Sequence, residues 1–65
     1  MKLNIKSVKV SMARKKMNVA DLAKALGCKR STVDAYLSGR CNPSLKALGR
    51  ISEALGVDVT EIIVN

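Results

Sequence analysis

Gly27, Gly39, Pro43 and Gly56 cut the chain into short segments. The helical patterns they punctuate are short, and the one over 19–26, only two turns long, cannot stand alone in water. Each segment must therefore bury an apolar face against its neighbours at once. The apolar residues recur at helical spacing inside these segments, and no alternating run is strong enough to argue for a sheet. Leu3–Ile5 and residues 6–10 alternate only weakly, so an extended N-terminus is the one competing possibility.

The segments read as follows. Ile5, Val8 and Met12 share one helical face, which predicts a first helix over residues 7–16, although Val10 lies off the stripe. Lys9, Arg14, Lys15 and Lys16 lie off it as well, and the cationic end suits a helix C-terminus. Asn18 with Asp21 three residues later forms a capping pair, so a second helix runs over 19–26. Its inner face is Val19, Leu22, Ala23 and Leu26, and Gly27 can take the positive φ of a helix stop. A third helix over 30–38 turns Val33, Tyr36 and Leu37 inward and ends at Gly39. Ser44 caps a fourth helix over 45–55, in which Leu45, Leu48, Ile51 (or Ser52) and Leu55 fall at core spacing. Gly49 weakens its interior by roughly 1 kcal/mol against Ala. After Gly56, Asp58 and Glu61 make an Asp-x-x-Glu cap for a short fifth helix. The reading is an all-α single domain over 1–65, with five short helices and a helix–turn–helix at the second and third.

Composition narrows the function. The 65 residues carry 12 Lys+Arg against 5 Asp+Glu, a formal charge of +7. Residues 1–50 hold every base with Asp21 and Asp34, for +10; residues 51–65 hold Glu53, Asp58 and Glu61, for −3. A basic body suggests a polyanionic partner. There is no His, Trp or Phe, and one Tyr. The commonest general base and metal ligand are missing, so neither an enzyme, a metal site nor a cofactor is expected. The stacking platforms of single-strand binders are missing too. Cys28 and Cys41 read as two free thiols, not a zinc site or a secretory disulfide. No apolar run approaches the roughly 20 residues that span a bilayer, and no secretory leader is apparent. A cytoplasmic protein without a membrane partner is expected.

Several stretches together resemble one family. They are Leu22-Ala23, Gly27, Ser31-Thr32-Val33, Gly39-Arg40-Cys41-Asn42-Pro43-Ser44-Leu45 and Ala54-Leu55-Gly56-Val57. Their joint spacing, over residues 8–63, resembles the Cro/CI-type (XRE, lambda-repressor-like) helix–turn–helix group. The resemblance implies a five-helix globule whose third helix enters the DNA major groove, and a transcriptional regulator, often of phage or mobile-element origin. Three positions depart from the common pattern. Met12 stands where Arg is frequent, Leu37 where Glu is frequent, and Val19 where Gln is frequent. Met12 and Leu37 replace an ion pair by an apolar pair, which need not lower stability. Together the changes remove polar reach from the DNA edge.

On that resemblance, base reading falls to the start of the third helix. Arg30 can pair with guanine O6 and N7, and Lys29 can reach a guanine or a phosphate. Ser31 reads weakly, Ala35 offers a methyl to thymine, and Asp34 accepts from cytosine or orients Arg30. Phosphate contacts fall to Lys9, Lys15, Asn18, Thr32, Ser38, Arg40 and Asn42. Lys6 and Lys24 read as solvated. The apolar end, Ile63 and Val64, is expected to form a small homodimer surface, so that two third helices meet one palindromic operator. The expected function is a repressor of double-stranded DNA acting by operator occupancy, with no small-molecule effector. The competing reading is an antitoxin- or adaptor-type interaction module with DNA binding secondary.

Overall fold

The computed structural model describes residues 2–64. In chain order it contains β1 (Lys2–Leu3), α1 (Ile5–Arg14), α2 (Val19–Leu26), α3 (Arg30–Ser38) and α4 (Leu45–Leu55). A single 3₁₀ turn (Val59–Glu61) and β2 (Ile63–Val64) follow. The ranges of α2, α3 and α4 are those read from the sequence. The helix starts follow from local chemistry. Asn18 Oδ1 accepts from the Asp21 amide at 2.8 Å, and Asp21 Oδ2 accepts from the Asn18 amide at 3.0 Å, a complete capping box. Ser44 Oγ accepts from the Ala47 amide at 3.2 Å. Gly27 and Gly39 end α2 and α3 in the left-handed region, at φ 68° and 81°.

Three expectations are corrected. The first helix begins at Ile5 and stops at Arg14, two residues early at each end. Asn4 is the reason for the start: its side chain accepts from the Ser7 amide at 3.2 Å. The stop comes where Lys16 turns into the left-handed region, at φ 55°. The fifth helix is only one 3₁₀ turn. Asp58 Oδ1 accepts from the Thr60 amide at 2.9 Å, two residues on, which tightens the chain below an α-helical turn. Ile62 must then enter the core, so the helix has no room to continue. The third correction is a two-stranded antiparallel sheet. Lys2 pairs with Val64 and Leu3 with Ile63, and the Asn4 amide donates to the Ile62 carbonyl at 2.7 Å.

The helices close around one core of Leu3, Val8, Met12, Leu22, Ala23, Leu26, Val33, Leu48, Ile51, Leu55 and Ile62. Met12 is buried and Leu37 packs against the same cluster, so the apolar replacement of an ion pair is absorbed into the core. Ser52, also buried, satisfies its hydroxyl on the Gly49 carbonyl at 2.8 Å. Leu45 does not join the core despite its spacing. It opens α4 and is 71% exposed, while Leu48, in the same turn, is buried.

Candidate nucleic-acid interface

α2 packs more closely on α3 than any other pair of elements, which fixes α3 as an outward-facing rod. Val33 is its one fully buried residue, and Tyr36 and Leu37 pack partly. The opposite face presents Arg30, Ser31, Asp34 and Ser38 to solvent, with Ala35 and Thr32 half-exposed at its margin. Lys29, just before the helix, is exposed as well. All five expected base readers therefore share one face or its leading edge. At 1.5 Å per residue, the nine residues of α3 span roughly 13 Å. A B-DNA major groove is about 12 Å wide and admits one such helix.

The start of α3 is electrically open. α1, α2 and α4 each have a side-chain cap on their first amides, whereas Lys29 at the cap position of α3 makes none. No acidic residue lies in the first turn of α3. Free amides, a helix dipole and the two cations Lys29 and Arg30 thus coincide at the leading end. Three of the five acidic residues, Asp21, Asp58 and Glu61, are turned onto backbone amides of their own segments. The amide of Thr60, and then its hydroxyl, hold the Asp58 carboxyl below its ordinary range. That cap acts above the carboxylate range and is lost as the pH falls through it.

The far end of α3 is fixed by one carbonyl. Ala35 O accepts from the Arg40 amide at 3.1 Å, the Cys41 amide at 3.3 Å and the Ser38 hydroxyl at 3.1 Å. Ser38 Oγ in turn accepts from Arg40 Nε at 3.1 Å. Ser38 thus uses its proton inside the protein and orients Arg40, whose terminal nitrogens stay outside this bond. Sequence spacing gave no sign of this pairing, because the two residues sit on either side of the helix stop. Asn42 is exposed in the same loop.

The other expected phosphate ligands sit on different elements. Asn18 caps α2, and its box with Asp21 leaves the amides of Val19 and Ala20 as the remaining first-turn donors. It also puts a carboxylate at that end. Lys9 is exposed on α1. Lys15 extends toward Gly56: its Cε and Nζ lie 3.3 Å from where a Cβ on Gly56 would stand. Its ammonium thus sits at the carbonyl end of α4, where the helix dipole favours a cation. Two further cations, Lys46 and Arg50, lie four apart on α4 and are exposed. Their spacing is visible in the sequence, but its meaning depends on what α4 packs beside.

The expected dimer residues lie on β2. Val64 is 41% exposed and Ile63 half-buried. Ile63 lines a shallow apolar groove with Leu45, Leu48, Val57 and Val59. Cys28 and Cys41 are both free thiols. Among the described residues, no three His, Cys, Asp or Glu side chains gather as metal ligands, and no helix is long and apolar enough to cross a membrane.

Comparison with known proteins bears on this geometry. The family model for the Cro/C1-type helix-turn-helix DNA-binding domain matches residues 7–64. The chain is 41% identical over 44 residues to MJ0272 of Methanocaldococcus jannaschii, an uncharacterized HTH-type transcriptional regulator. That match covers 68% of this chain and 67% of the relative. The fold also superimposes on part of a hydroxyethylphosphonate dioxygenase mutant, with a TM-score of 0.82 and 18% identity. All of this chain is covered there, but only 14% of the larger one, so the likeness is one of fold alone. The matched family binds DNA and regulates transcription, and is not an enzyme class. α2 and an outward α3 joined through the Gly27 turn form a helix-turn-helix, and the chain belongs to the Cro/C1-type helix-turn-helix DNA-binding family.

Proposed function

We propose that this chain is a sequence-specific repressor of double-stranded DNA, of the phage or mobile-element type, acting in the cytoplasm by occupying an operator. The observation that carries this reading is the α3 face: Lys29, Arg30, Ser31, Asp34 and Ala35 together, at a helix start with no cap. α3 lies in the major groove, with Arg30 as the principal base reader. Arg40, oriented by Ser38, and Asn42 hold phosphates at the far end of α3. Asn18, Thr32 and Lys9 contribute further backbone contacts, and Lys15 does so by leaving Gly56.

One copy is too small to read two grooves. Its longest dimension is 27 Å, while successive major grooves on one side of the duplex lie about 34 Å apart. We infer a weak homodimer on a palindromic operator. Ile63 and Val64 form its surface, and the groove beside Ile63 with the projecting Leu45 extends it. Sedimentation should show dimers on a palindromic duplex; a monomer both free and bound would remove this part of the proposal.

A salt titration on random duplex DNA tests the DNA reading itself. With about five phosphates neutralised, log K should fall against log salt with a slope of about −4 to −5. A slope near zero would reject DNA binding and leave the adaptor-type reading in its place.

A further inference from the structure

Lys46 and Arg50 have no part in the interface described so far. They stand one turn apart on α4, and like charges at that spacing work against the helix. They border a shallow pocket with Leu26, Cys28, Tyr36 and Ala47, between the α2–α3 turn and α4. Among the described residues, no carboxylate lines that pocket. Arg50 also borders a second hollow with Lys24 and with Glu53, which lies three residues on along α4 and offsets part of the Arg50 charge. An anion brought to the first pocket would relieve the repulsion between the two cations.

The position of the pocket suggests which anion. Tyr36 places it along one flank of α3, and Thr32, one turn earlier, lies on that same flank. A helix seated in the major groove has a phosphate backbone on either side of it, because the groove is only about 12 Å wide. The strand running past Thr32 and Tyr36 would therefore pass the mouth of this pocket.

We propose that Lys46 and Arg50 form a second backbone clamp, gripping phosphates of the strand along the Thr32–Tyr36 flank while α3 occupies the groove. This rests on the DNA reading above and deepens it. The clamp adds affinity and fixes the rotation of α3, and it reads no base.

The test is a salt titration of the full chain carrying Lys46→Gln and Arg50→Gln, beside a matched Lys2→Gln and Lys6→Gln variant. Glutamine is a good helix former, and circular dichroism checks that both variants are folded. On random duplex DNA the first variant should have a slope shallower by about 1.8, or 0.9 for each lost phosphate. Its ratio of operator to random affinity should stay unchanged. The control should keep the wild-type slope. If both variants shift equally, or the first does not shift, the clamp is overturned while DNA binding stands. A wild-type slope near zero instead removes the DNA reading and the clamp with it.

Discussion

Replacing Ile62 with alanine should unfold a large fraction of the molecule at room temperature. Ile62 is completely buried and is one of the largest side chains so placed. Its carbonyl also receives the Asn4 amide, so the same residue holds β1 and the start of α1 against the C-terminal segment. Truncating a buried Ile to Ala costs about 2–5 kcal/mol, through lost transfer energy and the cavity left behind. At roughly 0.05–0.15 kcal/mol per residue, a chain of 65 residues has a total stability of about 3–10 kcal/mol. The loss is comparable with the whole margin. Urea unfolding followed by circular dichroism reads it directly. With a slope near 1 kcal/mol per molar urea, the midpoint should fall by about 2 M or more. An unchanged midpoint would mean that the C-terminal segment is not docked as described.

Arg30→Ala should separate base reading from backbone binding. On a duplex selected by the wild-type protein, affinity should fall by about 1–3 kcal/mol, roughly 5- to 150-fold, and one base position should become permissive. On random duplex the loss should be much smaller, because at most one phosphate contact is involved. Arg30 is exposed at the first position of α3, so its removal leaves no cavity and no unsatisfied group. Equal losses on both duplexes would make Arg30 a phosphate ligand and shift the base reading to Lys29 or Ser31. Asp34, one turn on, can brace the guanidinium toward the groove, and Ala35 keeps that face low.

What was legible in the sequence was what is decided locally. The Asn18–Asp21 box, the Ser44 cap and the left-handed stops at Gly27, Gly39 and Gly56 are each set by residues within a few positions. α2, α3 and α4 therefore have the boundaries that the sequence implies. Features decided by distant neighbours were not legible. β1 and β2 are two residues each, and their partners lie about 60 positions apart in the chain, so no local pattern announces them. Leu45 has core spacing, yet it stands 71% exposed at the rim of the groove that Val57, Val59 and Ile63 line, while Leu48 in the same turn is buried. Lys15 reads as a phosphate ligand in the sequence, whereas its ammonium reaches the C-terminal end of α4 at Gly56. The face of α3 was legible because nine residues with one buried stripe leave only one outward side. The bond from Arg40 to Ser38 was not, since it depends on the path of the chain after Gly39.

The proposed function stands on α3 as the surface that meets duplex DNA. Amide-resolved NMR of the full chain, titrated with a short duplex at low salt, tests it most directly. The largest shifts should fall at Lys29, Arg30, Ser31, Asp34 and Ala35, with further shifts at Asn18, Arg40 and Asn42. On a duplex too short for two copies, the amides of β1 and of the Val59–Glu61 turn should change least. Shifts confined to the groove around Leu45 and Ile63, or no shifts at all, would contradict it.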